Sequence, residues 1–375
     1  MAISGWKDNA LYTPGPLTTS RTVKQAMLRD LGSRDSDFLL ITQTIRKRLL
    51  TLAGVGEDFT AVLMQGSGSF GVESVLGTAI PRNGKLLVLT NGAYGIRMGQ
   101  MAQVFQMNHQ VLSYAEDQKP DLKEIRALLE KDGNFTHIAV PHCETTSGIL
   151  NPIREIGKLA KEFSKVYIVD AMSSLGGVPI DFNDCAIDYL ISSSNKCIEG
   201  VPGFSFVIAR RALLEKTEGN ARSLSLDLYA QWKSFENAGE FRFTPPIQTI
   251  LAFEQALNEL DEEGGVPARY ARYQENHMTL LQGMVALGFK PYLSSENQGP
   301  IITSFHYLDQ SNFSYKTFYE KLQLRGCVIY SGKVSNAACF RIGNIGRLFK
   351  SDILNLVSAV RETLVEMQIA VPSTR

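Results

Sequence analysis

Six short apolar runs, at residues 61–64, 86–89, 138–140, 166–169, 189–191 and 204–208, alternate with stretches of helical periodicity. The segment 121–131, for example, sets Leu122, Ile125, Leu128 and Leu129 on one helical face. Runs this short and this uniformly apolar read as strands buried on both faces. Their alternation with helices predicts an α/β fold, a mostly parallel sheet flanked by helices on both sides. In such sheets ligands bind beyond the carboxyl ends of the strands. The chemistry is therefore to be sought in the residues that follow each run.

From residue 252 the pattern becomes helical through 261, and Glu262-Glu263-Gly264-Gly265-Val266-Pro267 interrupts it. A helix is expected over 270–287, with shorter strands at 301–306, 327–330 and 339–342. A closing helix carries Ile353, Val357, Val360 and Leu364 on one stripe. We read an N-terminal arm (1–16), a large domain (17–262) and a smaller C-terminal α+β domain (263–375), a division that suits 375 residues. No internal repeat or low-complexity segment is visible.

Thirty-eight basic residues balance 38 acidic ones, so no global field points to nucleic acid or a membrane surface. No apolar run approaches the roughly 20 residues of a membrane helix, and the N-terminus lacks a signal pattern. The five cysteines (Cys143, Cys185, Cys197, Cys327, Cys339) form no C-x-x-C pair, which argues against a disulfide framework and fits a reducing compartment. The expected location is cytoplasmic. The five histidines show no metal-ligand spacing. No metal is expected, and His142 is read as structural.

Gly66-Ser67-Gly68-Ser69-Phe70-Gly71 follows the first run and precedes a helix marked by Val72, Val75, Leu76 and Ala79. In form it is G-x-G-x-x-G, so a dinucleotide-binding domain must be weighed. About 20 residues on, where an acid should hold the ribose, stands Thr90-Asn91-Gly92 instead. The hydroxyls of Ser67 and Ser69 suit a terminal phosphate monoester. The backbone amides of small residues and the helix N-terminus favour an anion of either kind. A nicotinamide-dependent oxidoreductase stays open on this motif alone.

Val166-Tyr167-Ile168-Val169-Asp170 is a strand ending in a carboxylate, and the next strand leads into Ser194-Asn195-Lys196-Cys197. Alone, Asp170 reads as a helix cap and Lys196 as a solvated loop lysine. Together with the phosphate loop they meet the needs of a pyridoxal enzyme: an amine to form the imine, an acid to keep the pyridine nitrogen protonated, and a phosphate cup.

These residues carry a resemblance. Thr13-Pro14-Gly15-Pro16, Gln65-Gly66-Ser67-Gly68-Ser69, His142-Cys143-Glu144-Thr145-Thr146-Ser147-Gly148, Asp170-Ala171-Met172-Ser173-Ser174 and Asn195-Lys196-Cys197-Ile198 resemble the class V, fold-type I aminotransferases. The likeness spans nearly the whole chain. Arg222-Ser223-Leu224-Ser225-Leu226-Asp227-Leu228-Tyr229 and Phe340-Arg341-Ile342-Gly343-Asn344-Ile345-Gly346 resemble its aminoethylphosphonate branch. The resemblance implies pyridoxal 5′-phosphate held as a Schiff base on Lys196, with Asp170 at the ring nitrogen. Ser67, Gly68 and Ser69 would hold the phosphate, with Asn195 nearby. Thr145 would contact the ring hydroxyl, and Tyr94 stands where the glyoxylate branch stacks a Trp. Thr244 would reach the phosphate in the neighbouring subunit, which implies a homodimer with composite sites. Arg341 would bind the substrate anion, with Arg34 a second candidate. The implied reaction moves the amino group of 2-aminoethylphosphonate to pyruvate, giving phosphonoacetaldehyde and L-alanine, a step of phosphonate catabolism. The alternative within the class is an alanine– or serine–glyoxylate aminotransferase.

Overall fold

The computed structural model describes residues 8–332, 334 and 337–372. Its centre is a seven-stranded sheet of β1 (Phe59–Gln65), β2 (Lys85–Thr90), β3 (Asn108–Ser113), β4 (His137–Pro141), β5 (Val166–Asp170), β6 (Tyr189–Ser193) and β7 (Phe204–Arg210). The spatial order is β1-β7-β6-β5-β4-β2-β3. Only β7 runs antiparallel, against both β1 and β6. The carboxyl ends of β1, β2, β4, β5 and β6 therefore open on one edge of the sheet.

All six strands expected from the apolar runs form, each extended by a residue or more at one or both ends. Every residue of β4 and β6 is buried, as strands covered on both faces must be. The seventh strand, β3, was not expected. Its sequence Asn-His-Gln-Val-Leu-Ser is only partly buried. An edge strand draws its order from pairing with β2 (Lys85↔Asn108 through Thr90↔Ser113), a contact without an apolar signature.

The flanking helices that matter below are α1 (Ser36–Leu52), α2 (Gly68–Ala79), α3 (Ala93–Val104), α4 (Leu122–Lys131) and α5 (Ile153–Glu162). In α4 the Asp121 carboxylate accepts from Lys123 N at the start, and Ile125 and Leu129 are buried, the stripe that periodicity predicts.

Two long helices follow, α6 (Ile247–Glu263) and α7 (Gly265–Ala286). The interruption expected over six residues shrinks to Gly264 alone. Gly264 and Gly265 take φ of 106° and 74°, which turns the chain sharply at little steric cost. Pro267 lies in the first turn of α7, where its missing N–H breaks no intrahelical bond. Helices α8 (Tyr315–Leu324) and α9 (Lys350–Glu366) pack with an antiparallel sheet of β8 (Ile302–His306), β9 (Tyr330–Ser331) and β10 (Cys339–Gly343), ordered β8-β10-β9. The strand expected over 327–330 is split at the buried Ile329. Cys327–Val328 pairs in parallel with Ala10–Leu11 of the N-terminal segment, while Tyr330 pairs with Arg341.

Apolar side chains gather in one large cluster around the seven-stranded sheet and a second built on α7, α8, α9, β8 and β10. Tyr12 and Ala10 belong to the second cluster. The N-terminal segment thus packs on the C-terminal elements while leading into the edge of the large sheet.

Candidate active site

At the end of β1, Gly66 takes φ of 100° and its N–H donates to Gly203 O. Ser67 is the N-cap residue of α2, yet its hydroxyl makes no capping bond. It is exposed, and the first-turn amides beside it are donors that a helix leaves without internal partners. A Cβ at Gly68 would lie 1.6 Å from Met172 Sδ, so a larger residue there would have to displace the Met172 side chain. Met172 follows Asp170 by two residues, so the phosphate-type loop packs against the end of β5.

Asp170 sits between Pro141 of β4 and Ile191 of β6. Its Oδ1 accepts from Met172 N at 2.9 Å. The carboxyl is buried, at 6% exposure, and burial pushes its pKa up to about 6. No cation forms an ion pair with it among the described residues. A buried carboxylate in this state is short of one positive partner.

Lys196 follows β6 by three positions. Its Nζ donates to Pro14 O at 2.7 Å. Burial disfavours the ammonium and lowers its pKa, so a larger share of neutral amine exists near neutral pH. The loop around it is tied down on both sides. Ser194 Oγ donates to Val201 O and Phe204 O, and Glu199 N donates to Lys196 O. Beneath lies a buried ion cluster. Arg269 donates to Cys197 O, and Arg272 and Tyr273 both donate to Glu199, each at 2.7 Å.

The segment after β4 supplies another group. Glu144 is fully buried and its Oε2 accepts from the Tyr94 and Gly95 amides at the start of α3. Its Oε1 accepts from Thr146 Oγ1 and N. Gly92 must be glycine, because a Cβ would stand 2.4 Å from the Glu144 side chain. Thr145 is buried, and its hydroxyl makes no well-formed hydrogen bond. Tyr94 is its neighbour, and burial raises that phenol's pKa. Arg341 on β10 donates from Nη1 to Thr145 O at 2.7 Å, and its guanidinium lies 4.9 Å over the Tyr330 ring.

Lys196, Asp170, Gly68, Ser69, Tyr94, Thr145 and Arg341 thus converge on one sheet edge. Asn195 is partly buried next to Lys196. Thr244 is exposed, with its carbonyl and that of Phe243 accepting from Gln65 Nε2. This places it beside the strand that leads into the loop. Arg34 stands apart, 82% exposed and paired with Glu240 at 3.2 Å. His142 is buried against Ser174 Oγ, and burial holds its pKa down to about 4. A larger cleft, about 620 Å³, runs between Leu11, Thr13 and Pro16 on one side and Tyr315, Tyr319 and Tyr330 on the other. Neither Lys196 nor Asp170 lines it, so its size alone does not make it the reaction site.

Three site features were not singled out from the sequence: Glu144, Arg97 and the Pro14 carbonyl. Glu144 carried one usable signal, a carboxylate among small residues just beyond the end of a strand. Arg97, on α3, donates to Ser69 Oγ and stacks on Tyr94.

A loop for a phosphate, a lysine amine with lowered basicity and a buried carboxylate lacking a cation fit pyridoxal 5′-phosphate, whose protonated ring nitrogen supplies the missing charge. The dinucleotide reading of Gly66–Gly71 fails on topology. The loop follows an edge strand paired only with the antiparallel β7, whereas that fold needs a central parallel strand there. The chain belongs to the class-V aminotransferase family, whose model matches residues 19–344, and its cofactor is pyridoxal phosphate. It is 53% identical over 356 residues to a protein of Lysinibacillus sphaericus named 2-aminoethylphosphonate–pyruvate transaminase, covering 95% of this chain and 97% of that one. A protein of the same name from Klebsiella pneumoniae is 54% identical over 352 residues, covering 93% and 96%. Among solved structures, alanine–glyoxylate aminotransferase from Nostoc sp. superposes with a TM-score of 0.88 at 24% identity, over 97% of each chain. Pyridoxamine–pyruvate aminotransferase from Mesorhizobium loti gives 0.88 at 23%, over 97% and 94%. These two likenesses concern the fold.

Proposed function

We propose that this chain transfers the amino group of 2-aminoethylphosphonate to pyruvate, giving phosphonoacetaldehyde and L-alanine. The observation that carries the substrate is the identity of 53–54% over nearly the full length to transaminases of that name. The site is consistent with it. Arg341 is a buried guanidinium beside the Lys196 region, and a planar fork can grip both a tetrahedral phosphonate and a planar carboxylate. Arg34, exposed and paired with Glu240, does not join Arg341 at this site within one chain.

Bound pyridoxal phosphate supplies an electron sink for the pair left when a proton leaves the carbon bearing the substrate amine. Lys196 anchors the cofactor and, once freed, moves that proton as a base of lowered pKa. Asp170 keeps the proton on the ring nitrogen. Ser67, Gly68 and Ser69 hold the phosphate, with Asn195 nearby. Tyr94 would lie against the ring and Thr145 would meet its hydroxyl. Glu144 fixes the start of α3 and so holds Tyr94 and Thr145 in register.

The working unit in this reading is a cytoplasmic homodimer in which Thr244 reaches the partner's phosphate cup. The chain divides into an arm (1–16), a large domain (17–262) and a smaller domain (263–375). The two largest apolar clusters support that division, with a smaller one where Leu17, Cys143 and Cys197 meet Tyr273, Ile301 and Ile345 joining the two sides.

Stopped-flow spectra of the purified protein test the substrate. 2-Aminoethylphosphonate should convert the bound cofactor to its pyridoxamine form far faster than serine or alanine, with pyruvate returning it. A faster pairing of serine or alanine with glyoxylate would overturn the substrate. Lys196→Ala should remove the cofactor's visible band and turnover while leaving the fold intact.

A further inference from the structure

The segment proposed to hold the cofactor phosphate, Gln65-Gly66-Ser67-Gly68-Ser69-Phe70-Gly71, contains no lysine or arginine. A phosphate monoester carries between one and two negative charges near neutral pH. Hydroxyls, amides and a helix N-terminus offer only partial charge, roughly half a unit from the helix. A cation is missing from that inventory, and one stands next to it.

Arg97 lies one turn beyond Tyr94 on α3, so the two side chains share a face. Its Nη1 donates to Ser69 Oγ at 3.2 Å and its guanidinium carbon lies 5.1 Å over the Tyr94 ring. Together with Asp170, Met172, Tyr94 and Ser69 it lines the small cleft between α2 and α3. No carboxylate lies within ion-pair distance of it among the described residues, and the buried Asp170 across the cleft feels its charge only at longer range. A guanidinium has five N–H donors, and the Ser69 contact uses one.

We propose that Arg97 is the cation of the phosphate cup, completing with Ser67 and Ser69 the site for the cofactor's phosphate while pinning Tyr94. The bland alternative is that Arg97 only packs on Tyr94 between two helices. This inference rests on the placement of the phosphate at Ser67–Ser69, and the test separates the two.

The full-length protein is stripped of cofactor and titrated with pyridoxal phosphate or with pyridoxal, which lacks the phosphate. Affinity is read from the visible absorbance. For Arg97→Gln the preference for pyridoxal phosphate over pyridoxal should fall by roughly ten- to hundredfold, the span of one charged hydrogen-bonding partner. Pyridoxal affinity should fall by less than pyridoxal phosphate affinity, because only the support of Tyr94 is lost to it. Arg97→Lys, which keeps the charge without the fork, should recover part of the preference. An unchanged preference in Arg97→Gln, or an equal loss for both ligands, overturns the proposal. Ser69→Ala should lower the preference independently. If it does so while Arg97→Gln does not, the cup stands and Arg97 is excluded. If Ser69→Ala leaves the preference intact, the phosphate placement fails and the proposal with it.

Discussion

Lys196 Nζ is held at 2.7 Å by the carbonyl of Pro14, a residue 182 positions earlier in the chain. The N-terminal segment can approach this closely because the next residue is Gly15. A Cβ there would stand 2.7 Å from Nζ and 2.8 Å from Cδ of the lysine, and φ is 117°. Gly15→Ala should therefore displace the amine and cost about 1–2 kcal/mol in backbone strain. The expected result is a lower melting temperature together with weaker cofactor absorbance. A full-strength band with only the thermal loss would show that the arm does not position Lys196.

Asp170 gives opposite effects with and without cofactor. Its pKa is about 6 in the folded chain against an ordinary 3.8. Below pH 3.8 the group is protonated in both states and costs nothing. As pH rises from 3.8 to 6, the folded chain retains a proton that the unfolded chain has lost, so stability falls across that window. Above pH 6 the whole penalty remains, on the order of 3 kcal/mol at about 1.4 per unit. Asp170→Asn keeps an acceptor for Met172 N and removes the charge. The cofactor-free variant should be more stable than wild type at pH 7 and equal to it near pH 3.5, while turnover of the loaded enzyme collapses. Near-normal turnover would reduce Asp170 to the turn that its bond to Met172 N forms.

Arg341→Lys keeps the charge but loses the planar fork and the bond to Thr145 O. Both half-reactions should slow by roughly ten- to hundredfold, with cofactor affinity little changed. Single-turnover rates with 2-aminoethylphosphonate and with pyruvate measure this. A defect confined to one substrate would mean that the two anions do not share the guanidinium.

Thr244 tests the composite site. Thr244→Ala and Lys196→Ala homodimers should each be poor enzymes. Mixed after subunit exchange, each heterodimer would carry one site with both residues intact, and activity should partly return. No recovery from verified heterodimers would place every site residue within one subunit.

The six strands were legible because each is apolar on both faces, so burial is written in consecutive residues. Edge strand β3 was not, since its order comes from pairing with β2 and its side chains stay partly in water. The break between α6 and α7 is narrower than the residues 262–267 suggest, because a proline within the first helical turn looks like a break and is not one. Asp170 and Lys196 could be picked out as a pair because one ends a strand and the other stands three residues past the end of the next, and parallel strands deliver their carboxyl ends to the same edge.

Local order along the chain therefore determined the α/β layering, the phosphate-type loop and the two groups that suggested pyridoxal chemistry. Only the tertiary structure decided what surrounds them. Glu144 beneath Tyr94, Arg97 against Ser69, Met172 over Gly68 and Pro14 upon Lys196 join residues from 28 to 182 positions apart, or from different strand ends. The reason is physical. Periodicity records which side of an element meets the core, whereas a charge or carbonyl that meets a distant partner leaves no repeating trace in the residues beside it.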